Sequence, residues 1–279
     1  MKRLLSTVVG LCWLSAVAQA HTLDLPYHFH PGLRISQTKP LTTRDLTGLI
    51  RELSSLSGLH FTVDKDGAIR YDTELPAAGG SPIARELLMK AMDNSDSFSV
   101  EGANNSAAVA FAQIESTMTY SDGINPRRDQ WVIRIDFADF AQLRGDAIAI
   151  KAFNPGMNML HELTHAILKL PDPERPDDPL GQCERHLNLM RAELGLPLRQ
   201  YYFPKTRFAR SPASLAQILQ AELKFTHSKK AEESLLTFDI ARVVDIQRSK
   251  SKSSIPSDFF SAQSLRPLRL CGELICKNN

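Results

Sequence analysis

The segment from Met157 to Leu170 constrains this chain more than any other stretch of its sequence. Its apolar residues recur at helical spacing, and Asn154-Pro155-Gly156 breaks the preceding element just before it. Within this predicted helix, His161 and His165 stand four residues apart, so their side chains share one face. The other face is apolar and suited to burial; it comprises Met159, Leu160, Leu163, Ile167 and Leu168. The pattern predicts a buried helix that directs two imidazoles toward one point.

The five residues from His161 to His165 read His-Glu-Leu-Thr-His. Two imidazole nitrogens one helical turn apart can bind one metal ion, and Glu162 then lies beside the open coordination position. We therefore predict one zinc ion held by His161 and His165, with Glu162 as the general base. The alternative is a pair of hydrogen-bonded histidines that flank a buried helix.

A catalytic zinc ion needs a third protein ligand and one position left for water. The next predicted helix, from about Gln182 to Leu194, offers Glu184 and His186. Glu184, Asn188 and Arg191 line one polar face at helical spacing, and asparagine is an unfavourable residue inside a purely solvated helix. We predict Glu184 as the third ligand, with His186 as the alternative third ligand. For Glu184, the other interpretation is an ordinary surface ion pair.

The motif followed by Glu184 resembles the gluzincin branch of the zincin metallopeptidases, where a glutamate on a second helix completes the zinc site. The run Glu184-x-x-x-Asn188-x-x-Arg191-x-x-Leu194-Gly195-Leu196-Pro197-x-Arg199-x-x-Tyr202 is similar to a segment of zincin-like, bacterial effector and toxin-associated metallopeptidases. The resemblance covers about residues 145 to 202. It implies an α+β, zincin-like fold with a small mixed sheet, an active-site helix and a second ligand-bearing helix. It also places Tyr202 after that helix.

A zinc-bound water has a pKa near 7 and can attack a scissile carbonyl, while Glu162 passes its proton to the leaving amine. A second donor to the oxyanion is expected from Tyr202, which we prefer. The other available donors are Arg199, His186 and Arg191. The apolar run Ala147 to Phe153 is strand-like, and its edge could pair with an extended peptide. These features predict a metallopeptidase that acts on polypeptides. The alternatives are a zinc amidase with a non-protein, cell-wall substrate and an inactive zinc-containing binding protein.

The amino terminus is typical of a cleaved signal peptide. Lys2-Arg3 is a positive start, Leu4 to Val17 is apolar, and Ala18-Gln19-Ala20 matches a signal-peptidase site. This leader predicts a secreted or periplasmic protein without stable membrane insertion. Lys and Arg number 33 against 31 for Asp and Glu. Without its two leader cations the chain is neutral, and this disfavours nucleic acid as a partner.

The chain of 279 residues is 43% apolar, enough for a sizeable core. We predict a signal peptide at 1–20, an α+β region at 21–140, a zincin-like core at 141–226 and a C-terminal extension at 227–279. Near the C-terminus Cys271 and Cys276 could form a disulfide, which leaves Cys183 alone. The remaining predicted elements are a helix from Thr43 to about Gly58, a hairpin over His60–Asp72, a helix from Ser81, strands at Ser97–Val100, Ala107–Ile114 and Trp131–Phe137, a loop over Pro171–Pro179, a helix from Ser211 to about Phe225 and a strand over Leu235–Ile246.

Overall fold

The computed structural model describes residues 29–240 except 104, 107, 121–126, 176, 211–216 and 228–231. Within these residues the fold is α+β. Its helices are α1 (Thr43–Ser57), α2 (Pro82–Met92), α3 (Phe137–Ala141), α4 (Ala147–Ala152), α5 (Pro155–Leu163) and α6 (Gly181–Glu193), with a π-helical turn at Thr164–Leu168. Its strands are β1 (Gly32–Ile35), β2 (Phe61–Val63), β3 (Ile69–Tyr71), β4 (Ser97–Gly102), β5 (Ala112–Tyr120), β6 (Arg128–Ile135), β7 (Arg144–Gly145), β8 (Leu198–Arg199), β9 (Lys205–Arg210), β10 (Gln217–Thr226) and β11 (Glu233–Asp239).

A four-stranded mixed sheet with the order β1-β4-β6-β5 forms the first layer. Strands β1, β4 and β6 run parallel, and β5 runs antiparallel to β6 at the sheet edge. Helix α5 packs against β5 and β6, while α1 and α2 pack against α5. The helix that carries both histidines is therefore central to the fold, which explains why all residues from Gly156 to Leu163 are buried.

A second sheet is antiparallel, with the order β7-β11-β10-β8 and with β9 also paired to β10. One buried apolar cluster runs from the first sheet to the second; it includes Leu53, Phe98, Leu160, Leu223 and Leu236. The core thus continues across residues 140 and 226, where we predicted regional boundaries. A two-stranded sheet of β2 and β3 completes the described architecture.

Most elements near the site were predicted correctly because local signals define them. The Ser81 side chain caps α2 ahead of Pro82, as the sequence indicates. Helix α1 begins at Thr43 as predicted, and the structure shows that the Thr42 side chain caps it. The predicted hairpin and the helix now labelled α6 are likewise confirmed. The predicted leader, the Cys271–Cys276 pair and residues 241–246 of the last predicted strand lie outside the described residues.

Three element predictions were wrong. The run from Ala147 to Phe153 is helix α4 rather than a strand, because its buried residues, Ala149 and Ala152, follow helical spacing. Residues 217–226 form strand β10 rather than a helix, since β9 and β11 pair with it on both sides. The strand expected at Ala107–Ile114 begins only at Ala112, after Phe111 adopts a left-handed φ of 63°.

Among the described helices, none combines the length and the apolar content that a bilayer-spanning segment requires.

Candidate metal centre

The local sequence fixes the start and the end of the histidine-bearing helix. The Asn154 side chain accepts a hydrogen bond of 2.7 Å from the Met157 amide, so α5 begins next to Pro155. After Leu163 the helix widens into the π-helical turn, and Lys169 ends it in the left-handed region at φ 55°. This ending turns the chain back so that Leu170 and Asp172 reach His165.

The two histidines converge as their spacing predicts. Their Nε2 atoms lie 3.0 Å apart, and the residues are only 2% and 5% exposed. On the far side of its ring, His165 Nδ1 lies 2.7 Å from the Leu170 carbonyl oxygen. A carbonyl can only accept, so this contact assigns the proton to Nδ1 whenever His165 is neutral. Nε2 of His165 is then available to a metal ion.

Asp172 supplies the carboxylate nearest to this pair of nitrogens. Its Oδ1 lies 3.2 Å from His161 Nε2, and its Oδ2 lies 3.3 Å from His165 Nε2. Ligands at 2.0–2.2 Å around a tetrahedral zinc ion are about 3.3–3.5 Å apart, so the three side chains match one face of such a site. Oδ1 is also buried and receives no well-aligned hydrogen bond from any described residue. The donor set therefore fits a zinc ion.

Asp172 is itself oriented by Tyr202. The Tyr202 hydroxyl donates a hydrogen bond of 2.6 Å to Asp172 Oδ2, and its ring stacks on that of His161 at 6.1 Å between centroids. Tyr202 is fully buried. We predicted Tyr202 as a donor to the oxyanion, whereas the structure places its hydroxyl on the Asp172 carboxylate.

Cys183 lies behind the same cluster. Its thiol donates to the His161 carbonyl oxygen at 3.6 Å, and it is completely buried. Donor atoms of His161, His165, Asp172 and Cys183 all lie within 4.8 Å of one another. The sequence offered no ligand spacing for Cys183, and we predicted the segment that holds Asp172 only as a loop over Pro171–Pro179.

Glu184 occupies a different side of His161 from the converging Nε2 atoms. Its Oε2 lies 3.4 Å from His161 Nδ1, and the side chain is fully buried. Arg191 pairs with Oε1, and Arg199 lies 3.1 Å from Oε2. Glu184 is therefore part of an interior ion network, which excludes the surface ion pair that we had considered.

The structure also shows where the other predicted site residues lie. His186 is half-buried beside Glu86 and Glu193, and burial lowers its pKa. It does not join the four-residue donor group among the described residues. Glu162 lies on α5 between the two histidines, and its carboxylate oxygens are buried. Arg191 and Arg199, two of the possible oxyanion donors, instead contact Glu184.

Electrostatics in the cluster favour a charged pair when no metal is bound. Desolvation lowers the pKa of His165, but hydrogen bonds to Asp172 and Cys183 outweigh it and raise the pKa to about 10. Desolvation likewise raises the pKa of Asp172, yet His161 and His165 hold it well below its usual range. A metal ion at this point would replace a proton and neutralise the same carboxylate.

The cluster reaches the surface through the loop that carries Asp172. A cleft of about 560 Å³ opens there, and it is lined by three prolines of the loop and by Asp172, Glu174, Arg175, Asp177, Asp178, Gln182 and Arg185. Asp172 is the only donor of the cluster that lines this cleft among the described residues. Water would therefore approach the cluster from the Asp172 side.

Comparison of the chain with protein-family models, curated proteins and solved structures gave no match.

Proposed function

We propose that the chain is an exported, zinc-dependent metallohydrolase with a zincin-like site, and that it acts as a peptidase. One observation carries this proposal: two imidazole nitrogens and one carboxylate meet within 3.3 Å of one another on and beside a His-Glu-x-x-His helix. Three protein ligands leave the fourth position of a tetrahedral zinc ion open to water, as catalytic sites require.

In this proposal His161, His165 and Asp172 are the ligands. Asp172 replaces Glu184, the predicted third ligand, because its carboxylate faces both Nε2 atoms whereas that of Glu184 faces His161 Nδ1. When bound, zinc would lower the pKa of a water molecule and polarise the scissile carbonyl. Glu162 accepts the proton of that water and delivers it to the leaving nitrogen. Tyr202 holds Asp172 in its ligating orientation through the 2.6 Å hydrogen bond.

A polypeptide substrate is supported by the position of β5. This strand forms one edge of the first sheet among the described strands, and α5 packs directly against it. Its residues from Glu115 to Tyr120 are exposed. An extended peptide could therefore add to this edge, beside the helix that carries His161, which is the role we had assigned to residues 147–153.

A second function is favoured by Cys183. If its thiolate joined the two histidines and Asp172, the ion would have four protein ligands, which is the closed arrangement of structural zinc sites. The chain would then be a binding protein that keeps zinc without turnover. The complete burial of the thiol within the donor group is the observation behind this alternative.

Metal content tests the site. We expect one zinc ion per purified wild-type chain and none in His161→Ala. His186→Ala is the matched control, since this histidine lies on α6 beside Glu86 and Glu193, and it should retain zinc. A wild-type chain that takes up no zinc would contradict both candidate functions.

Turnover then separates the two functions. The wild-type chain should hydrolyse casein or members of a peptide library, and Glu162→Gln should lose at least about 100-fold in rate while keeping its zinc. Replacing zinc with cobalt tests the alternative, a structural site in which the Cys183 thiolate is a ligand. A thiolate-to-cobalt absorption band that disappears in Cys183→Ser, with no hydrolysis by the wild-type chain, would establish the structural zinc site instead.

A further inference from the structure

The two nitrogens of His161 face different partners. Nε2 lies 3.0 Å from His165 Nε2 and 3.2 Å from Asp172 Oδ1, at the proposed metal position. Nδ1 lies 3.4 Å from Glu184 Oε2. Because the two nitrogens lie on different sides of the ring, a group at Nδ1 can determine which nitrogen carries the proton without occupying the metal position.

Two buried arginines pair with the Glu184 carboxylate. Arg191 pairs with Oε1, and Arg199 Nη1 lies 3.1 Å from Oε2. A carboxylate between two guanidinium groups, which only donate, acts as an acceptor, so the His161 nitrogen that faces it carries the proton.

Both arginines are themselves fixed by main-chain acceptors. Arg191 Nε donates to the Ala152 carbonyl oxygen at 3.1 Å, and Arg199 Nε donates to that of Tyr201 at 3.0 Å. Asn188 links them, because its Oδ1 accepts from Arg191 Nη1 and from the Arg199 amide, each at 2.9 Å. Glu184 is thus held by side chains from α6 and β8, which gives its carboxylate one orientation.

We propose that Glu184 is a positioning residue for the metal centre: it accepts a hydrogen bond from His161 Nδ1–H and so presents the unprotonated Nε2 to the ion. This inference rests on the proposed function. It also assigns related roles to the polar residues between Glu184 and Arg199 that the sequence analysis singled out. Glu184 holds the histidine, Arg191 and Arg199 hold Glu184, and Asn188 holds the arginines.

The histidine ring signals of the zinc-loaded protein test this role directly. In ¹H–¹⁵N spectra of the wild-type chain, His161 Nδ1–H should exchange slowly and resonate downfield, because it is buried and bonded to an anion. Glu184→Gln should move this resonance upfield and lower zinc affinity by about 10- to 100-fold, measured by competition with a chromophoric chelator. Glu193→Gln is the matched control, since Glu193 is on the same helix but contacts Ser81 and the Ile83 amide.

Each outcome separates this inference from the proposed function. An unshifted His161 resonance in Glu184→Gln, or a wild-type Nδ1–H that exchanges rapidly, would overturn it while the zinc site stands. Loss of zinc in Glu184→Gln as complete as in His161→Ala, with full retention in Asp172→Asn, would identify Glu184 as a ligand and also overturn it. If Glu184→Gln does not fold, the wild-type spectrum alone decides the matter. A wild-type chain without zinc overturns the proposed function itself.

Discussion

Tyr202 is the residue whose hydroxyl connects the proposed ligand Asp172 to the protein interior. In Tyr202→Phe the ring remains but the hydrogen bond to Oδ2 is lost, so Asp172 is less firmly oriented. We expect zinc affinity to fall about 10-fold and the free energy of unfolding to fall by about 1–2 kcal/mol. Chelator competition and urea denaturation measure the two effects.

Tyr201→Phe is the matched control for this change. Tyr201 is the adjacent tyrosine, but it is 42% exposed and lies outside the donor group. Its hydroxyl can be removed without consequence for the metal, so both quantities should stay within error of the wild-type values. Equal zinc affinity in Tyr202→Phe and Tyr201→Phe would mean that the hydrogen bond to Asp172 has no orienting role.

Asp139 makes stability depend on pH independently of the metal centre. It is almost fully buried and accepts a hydrogen bond of 2.9 Å from the Phe111 amide. Desolvation raises its pKa to about 7 from an ordinary value of 3.8. Because the folded state binds the proton more tightly than the unfolded state, stability rises as pH falls from about 7 toward about 4.

The part of the pH dependence that Asp139 contributes should be absent from Asp139→Asn, in which this side chain cannot titrate. Relative to Asp139→Asn, the metal-free wild-type chain should gain up to about 1.4 kcal/mol per pH unit on acidification through this window. Urea denaturation in the presence of a chelator, repeated between pH 4.5 and 7.5, measures the difference. Asp66 is exposed, so the free energy of unfolding of Asp66→Asn should change with pH as that of the wild-type chain does. A difference between wild type and Asp139→Asn that stays constant with pH would refute the prediction.

The residues of the site differ in how far the sequence could identify them. His161, Glu162 and His165 are on one helix, so their relative positions follow from helical spacing alone. Asp172 comes after a π-helical turn and after Lys169, whose φ is left-handed. No sequence spacing predicts where a loop residue lies after such a turn, so the contact of Asp172 with the two histidines could not be predicted. We predicted that the polar face of α6 turns toward the metal and supplies Glu184 as a ligand. The structure buries Glu184 against His161, but its carboxylate approaches Nδ1 rather than Nε2, and this depends on how two helices pack.

The connection between α1 and α2 depends on two consecutive glycines with contrasting surroundings. Gly79 and Gly80 have φ values of 68° and 70°. A Cβ at Gly80 would lie 2.3 Å from Ser57 C and Gly58 N at the end of α1, whereas a Cβ at Gly79 would meet no atom within 4 Å. The two positions therefore share backbone strain but differ in steric clash.

Alanine substitution should reveal this difference. Gly79→Ala introduces only left-handed strain and should cost about 1–2 kcal/mol. Gly80→Ala must also separate α1 from the start of α2, and we expect a cost of about 3 kcal/mol or more. Denaturant unfolding of the two variants measures the gap. Equal losses would mean that α1 can move away from Gly80 freely.

At the level of elements, two of the predictions that failed lie in apolar runs, at residues 147–153 and 217–225, whereas α2 and α5 were predicted correctly. Ser81 and Asn154 mark helix starts through their own hydrogen bonds, so the sequence contains that information. Residues 147–152 have no such signal, and Ser211 before Pro212 is typical of a helix start but precedes a strand at residues 217–226. Pairing with β9 and β11 decides that β10 is a strand, and these partners are distant contacts that local periodicity does not contain.

The proposed centre joins several parts of the molecule at one point. His161 and His165 belong to α5 and its π-helical turn, and Asp172 belongs to the following loop. Tyr202, which bonds Asp172, follows β8 of the second sheet. An ion bound there would hold these segments together, and it would bind the folded chain far better than the unfolded one.

Zinc should therefore stabilise the whole molecule against heat. At a free zinc concentration 100 times the dissociation constant, the gain is about 2.7 kcal/mol. Thermal unfolding with zinc and with a chelator measures it as a rise in Tm. Asp172→Asn should lose most of the rise, whereas Glu174→Gln, in the same loop, should keep it. An identical Tm with zinc and with chelator would show that the ion does not bind the folded chain.

The sequence by itself determined the part of this protein that depends on neighbours along the chain. Helical spacing paired His161 with His165 and set Glu162 between them, and capping residues marked where α2 and α5 begin. Tertiary structure alone decided that Asp172 faces both Nε2 atoms and that Glu184 lies behind His161 between two arginines. The physical reason is that helix geometry repeats over a few residues, whereas the meeting of a loop with two helices depends on how the entire core packs.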